Sequence, residues 1–222
     1  MTRTTNARIA GFSFLFYIAV AFPSMVLFNR ALGGEAMSAK LSTLALHAAD
    51  VRLAAVLTLL GCFSALVLGV TLYALTRAQD PDLALLALTC RVAEGVTGAV
   101  SIPSMLGLLG LATATGASAP DSVAAQALGT FILEPAPIAA IFFAVGSTLF
   151  SWLLLRGRMV PVWLAWLGVL GSAVLVAGLP LQLARVLTAP VTQLMWIPVA
   201  VFELVVAVWL MIKGADMPPG AA

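Results

Sequence analysis

The chain has 222 residues, of which 62% are hydrophobic and 9% charged, and its mean hydropathy is +1.11. Soluble domains carry roughly 25% charged residues, so this composition excludes a water-facing surface and requires lipid to cover the outside. A net charge of +2 without a basic run excludes a nucleic-acid partner, and Cys62 and Cys90, both in apolar runs, read as small hydrophobes rather than a disulfide framework.

The first apolar run is Ile9–Phe28, preceded by Arg3 and Arg8. It is as long as a bilayer-spanning helix needs, about 20 residues, and longer than the apolar core of a signal peptide. We read it as the first span. Loop Asn29–Arg52 follows, opened by Gly33-Gly34. Within it Met37, Leu41, Leu44 and Ala48 recur at helical spacing, with Lys40 and His47 elsewhere on the wheel. Residues 36–50 therefore form either an amphipathic helix on the outer leaflet, capping the bundle, or an early start of the second span. The remaining spans read Leu53–Leu75, Leu83–Ala112, Ala127–Leu155, Val160–Ala184 and Gln193–Ile212. Between them lie Asp80-Pro81-Asp82, the Gly116–Asp121 stretch, the basic turn Arg156-Gly157-Arg158, and Thr188-Ala189-Pro190.

These runs predict an all-α membrane protein, a six-helix bundle forming one domain over residues 1–222. Lipid leaves no backbone polar group a solvent partner, so only helices and closed barrels span it. Barrel strands would alternate polar and apolar over about 10 residues, whereas these runs are continuously apolar for twice that length. With the N-terminus inside, Arg3, Arg8, Arg77, Arg156, Arg158 and Lys213 fall on the inner side. Arg30, Lys40, Arg52 and Arg185 fall on the outer side. That bias, with Trp152, Trp163 and Trp209 near inner ends, puts both termini on the inner, cytoplasmic side. The paired Pro-Ser-Met motifs at 23–25 and 103–105 do not fit an inverted repeat, and no repeat is assigned.

The informative residues are the charges inside the spans: Arg91, Glu94, Glu134 and Glu203. At 1.5 Å rise per residue, Arg91 lies roughly 12 Å, Glu94 roughly 16 Å and Glu203 roughly 15 Å into their spans, near the midplane. A charge there costs roughly 2.5–3.5 kcal/mol on insertion scales, so these groups should face inward and find partners. Arg91 and Glu94 share a helix face, and an Arg91–Glu94–Glu203 cluster is the expected result. One arginine facing two or three carboxylates leaves at least one carboxylate to be protonated, hydrated, or bound to a cation or amine. Two readings stand: a site for a small molecule, lipid or proton, or an ion pair that only locks helix register. Glu134-Pro135-Ala136-Pro137 suggests a helix kink with a carboxylate toward the outer side, either a cation or amine site or a glutamate at a wet mouth. The glycines at 95, 98, 107, 110, 168, 171 and 178 are expected at close helix contacts.

The single histidine, His47, disfavours paired-histidine haem ligation and a histidine-built zinc site, and no cofactor is expected. No GxSxG, P-loop or HExxH occurs, and Ser101 and Ser147 have no histidine in the membrane to act as base. The leading expectation is a non-enzymatic membrane protein with a buried polar pocket, its partners the bilayer and a small-molecule or lipid ligand. The alternatives are an accessory or structural subunit that docks on a membrane-protein partner or a second copy through Gly-rich helices, and an intramembrane enzyme working with carboxylates.

The order of several short motifs is familiar. Arg8-Ile9-Ala10-Gly11, Val51-Arg52-Leu53, Leu72-Tyr73-Ala74-Leu75 and Arg91-Val92-Ala93-Glu94 are followed by Phe142-Phe143 and Leu153-Leu154-Leu155-Arg156. Met159-Val160-Pro161, Phe202-Glu203-Leu204, Val208-Trp209-Leu210 and Lys213-Gly214 complete the series. This series resembles the uncharacterised bacterial membrane family called domain of unknown function 4386. The resemblance spans nearly the whole chain and implies a six-helix bundle with Arg52, Arg91, Glu94 and Glu203 as family-type polar positions. It implies no activity. Members often carry a histidine after the paired phenylalanines; here that stretch reads Ala144-Val145-Gly146-Ser147.

Overall fold

In the computed structural model the described residues are 2–115, 122–133, 137–187 and 189–216. They form ten helices and, among the described residues, no strand. The helices are α1 Arg3–Ala31, α2 Met37–Leu46, α3 Ala48–Thr76, α4 Pro81–Ala99, α5 Ser101–Thr113, α6 Ser122–Leu133, α7 Ile138–Arg156, α8 Val162–Leu183, α9 Ala189–Leu194 and α10 Ile197–Ile212. Six stretches are long and apolar enough to cross a membrane: Arg3–Ala31, Ala48–Thr76, Pro81–Thr113, Ser122–Arg156, Val162–Leu183 and Val191–Ile212. The protein is an integral, all-α membrane bundle, as its composition requires.

Several expected spans are built from two helices each, and proline chemistry accounts for the breaks. The third expected span is α4 followed by α5, divided at Val100, with Pro103 in the first turn of α5. The sixth is α9 followed by α10, with Pro198 at the second position of α10. A proline has no N–H to give, so it fits a first helical turn, where that donor has no intrahelical acceptor. Pro81 opens α4 in the same way, and the Asp80 carboxylate accepts the Leu83 N–H at 3.1 Å. The fourth expected span contains α6 and α7 on either side of residues 134–136, which lie outside the described residues. The loop after α1 holds a separate helix, α2, which ends at His47 and packs on α5 and α6.

Contacts within the chain cluster into two units. One comprises residues 18–62 and 97–136, and its core is Ala31, Leu44, Val51, Ala54, Met105, Leu108 and Leu109. In it the Ser24 hydroxyl donates to the Ala54 carbonyl at 2.9 Å, a polar link between α1 and α3 of the kind that joins helices in lipid. The other unit comprises residues 1–17, 63–96 and 137–222 and holds the larger core. Here α8 packs on α7 and α10, and small residues set the spacing. A Cβ on Gly168 would fall 2.5 Å from Ser151 Oγ, and one on Gly11 2.6 Å from the Ala207 carbonyl oxygen. Gly168, Gly171 and Gly178 are therefore contact glycines, as expected. Gly107 and Gly110 are not: both are exposed, and no described residue lies within 4 Å of a Cβ at either.

One end of this second unit gathers basic residues. Arg3 Nη2 donates to the Asp216 carbonyl at 2.8 Å, the Asp216 N–H donates to the Met159 carbonyl at 3.0 Å, and Arg156 pairs with Asp80 at 3.3 Å. The α7–α8 turn, the chain's N-terminal residues and the segment after α10 are thereby tied together. Trp152 and Trp163 flank this turn and are exposed.

Candidate functional site

Three of the four intramembrane charges, Arg91, Glu94 and Glu203, lie in the larger unit. Helical spacing puts Arg91 and Glu94 on one face of α4, and Arg91 Nη1 lies 2.9 Å from Glu94 Oε2. Arg91 is 1% exposed, Glu94 5% and Glu203 6%. Glu203, on α10, lies within electrostatic range of both Arg91 and Glu94. The expected Arg91–Glu94–Glu203 cluster is thus assembled from two helices far apart in sequence.

Other elements complete its walls. The Tyr17 hydroxyl on α1 donates to Glu94 Oε1 at 3.0 Å. The guanidinium carbon of Arg91 sits 5.2 Å from the centroid of the Phe143 ring and 5.8 Å from that of Tyr17. A cation held against ring faces in a dry site gains about 2 kcal/mol, which offsets part of its desolvation. Two glycines give the arginine its passage. A Cβ on Gly69 of α3 would stand 2.9 Å from Arg91 Cβ, and one on Gly146 of α7 would stand 3.3 Å from Arg91 Cδ. Gly146 and Ser147, which follow Phe143 on α7, thus lie directly against Arg91.

The cluster is close-packed but not saturated. The Nε, Nη1 and Nη2 groups of Arg91 and the Oε1 atom of Glu203 are buried without a hydrogen bond to any described residue. Arg91 and Glu94 are therefore joined by charge rather than by an aligned N–H···O bond. Beside them is a cavity of about 10 Å³, lined by Phe14, Leu72, Arg91, Ser147, Phe150, Ser151, Leu154 and Phe202. That is space for a single water molecule.

The remaining expected site residues lie elsewhere. Arg52 is exposed on α3 in the other unit, and Glu134 lies outside the described residues. Sequence reasoning missed Tyr17, Phe143, Ser151, Gly69 and Gly146 as parts of the site. A tyrosine in the middle of an apolar run was a usable signal, because its hydroxyl must find a partner there.

The chain matches no curated protein and no solved structure. Residues 9–214, which include every residue of the Arg91–Glu94–Glu203 cluster and Tyr17, match the family described as a domain of unknown function. The chain belongs to that family, DUF4386.

Proposed function

We propose that this chain holds a proton inside the membrane, on the carboxyl pair that faces Arg91. The observation that carries this reading is the charge inventory. Among the described residues Arg91 is the only buried basic side chain, and Glu94 and Glu203 are both buried with it. With both carboxylates ionised the cluster would hold one positive charge against two negative, and an uncompensated charge in hydrocarbon costs roughly 2.5–3.5 kcal/mol. One proton makes the cluster neutral. Glu94 accepts from Tyr17 and sits 2.9 Å from the guanidinium, which suits it as the ionised member. Glu203 is then the proton holder. The cavity favours a proton over an organic ligand, because about 10 Å³ admits one water and nothing larger. The basic end formed by Arg3, Arg156, Arg158 and Lys213 supports termini on the cytoplasmic side of a bacterial inner membrane.

Infrared spectroscopy of the protein in bilayers tests this. A protonated-carboxyl stretch that shifts in heavy water is expected, lost in Glu203→Gln and also in Glu94→Gln, because either change leaves one carboxylate against one guanidinium and no need for the proton. The absence of such a band, or a band indifferent to Glu203→Gln, would overturn the reading in favour of a purely structural ion pair.

A further inference from the structure

We infer that the outer face of α10 is a binding groove for an anionic phospholipid, with the acyl chain along the helix and the headgroup phosphate at Lys213. The groove has a volume of about 420 Å³ and is lined by Leu204, Val205, Val208, Trp209, Ile212 and Lys213. These positions repeat every four residues and form one stripe, roughly 14 Å long at 1.5 Å per residue. Leu204, Val208 and Ile212 stand out from the helix as exposed side chains, while Val205 and Trp209 pack back against the core and form the floor. Every lining residue but the last is apolar. Lys213 stands just beyond the final helical residue, exposed, and among the described residues it makes no ion pair.

Charge complementarity selects the occupant. An ammonium group at the end of an apolar stripe, in a chain surrounded by lipid, is matched by a molecule with a long hydrocarbon tail and an anion at its end. An anionic phospholipid has both parts at the right separation. A helix from a second copy would also fill the apolar stripe, but it meets Lys213 with an anion only if it presents the Asp82 end of α4, since Glu94 and Glu203 are buried and Asp50 is in the first turn of α3. The lysine is worth about fivefold in preference for anionic over zwitterionic lipid, from ~1 kcal/mol per basic residue at such a surface.

The inference is independent of the proton on Glu203, and Trp209 supplies its own reporter. The full chain is placed in nanodiscs containing a low fraction of brominated phosphatidylglycerol or brominated phosphatidylcholine. The Trp209 signal is taken as the difference between the wild type and Trp209→Phe. Several-fold stronger quenching by the anionic lipid is expected, with the two lipids equalised in Lys213→Gln. Equal quenching in the wild type, or an anionic preference that persists in Lys213→Gln, would overturn the inference. So would a Trp209 shielded from both lipids in a cross-linkable dimer, which would assign the groove to a second copy.

Discussion

At the scale of single residues, Arg91 is the side chain on which the larger unit turns. It is long, charged and 1% exposed, and it is held by a carboxylate, two ring faces and two glycines. Removing it leaves Glu94 and Glu203 buried without their cation, and breaking a buried ion pair from one side typically costs 3–5 kcal/mol. Arg91→Met is therefore expected to destabilise the protein by about 3 kcal/mol in reversible unfolding from mixed micelles. The double variant Arg91→Met with Glu94→Gln should lose less than the sum of the two single changes, because the second substitution removes the charge the first one orphans. Additive losses would show that the two groups do not act as a pair. Tyr17→Phe removes one donor from Glu94 Oε1 and is expected to cost about 1–2 kcal/mol in the same measurement, in the range of hydrogen bonds to charged groups.

Elements are positioned by where glycine is required, and spacing alone does not reveal which glycines those are. Gly69 admits the Arg91 stem at a distance no Cβ tolerates, whereas Gly107 on α5 meets no described residue. Gly69→Ala should destabilise the protein by about 1–3 kcal/mol through overpacking. Gly107→Ala should be neutral, or stabilising by up to about 1 kcal/mol from helix propensity. Comparable losses in both variants, read as unfolding midpoints in micelles, would contradict this assignment. The α7–α8 turn carries a second backbone demand. Arg158 has φ 49°, a left-handed conformation that glycine adopts freely and that costs an L-residue roughly 1–2 kcal/mol. Arg158→Gly is expected to stabilise the protein by about 1 kcal/mol, less whatever the arginine contributes at the membrane surface. An unchanged or lowered unfolding midpoint would show that the surface charge outweighs the backbone relief.

For the molecule as a whole, the basic end of the larger unit gives the proposed orientation a direct test. Single cysteines placed at Thr2 and Arg158, in a background with Cys62 and Cys90 replaced by alanine, should react with an impermeant maleimide only when it is supplied to the cytoplasmic face. A cysteine at Lys40 should react from the opposite face. The reverse pattern would invert the orientation, and labelling of Thr2 and Arg158 from different faces would contradict the contacts that tie Arg3 and Met159 to Asp216.

The sequence by itself determined that this chain is a lipid-embedded helical bundle, which charges are exceptional, and to which family it is related. Runs of apolar residues twice the length of a barrel strand leave only helices, and four charges stand out against them because lipid makes each one costly. The pairing of Arg91 with Glu94 was equally legible, since three residues on a helix fix two side chains to one face. Only the tertiary structure decided the rest. The rotation of α1 and α7 about their axes brings Tyr17, Phe143 and Gly146 to the arginine, and no periodicity in so uniformly apolar a helix reports that rotation. The same holds for the cavity, whose about 10 Å³ is a small residue of packing among side chains from α1, α3, α4, α7 and α10. The charges were visible because they are exceptions to their surroundings. Their partners were hidden because, residue by residue, they are not.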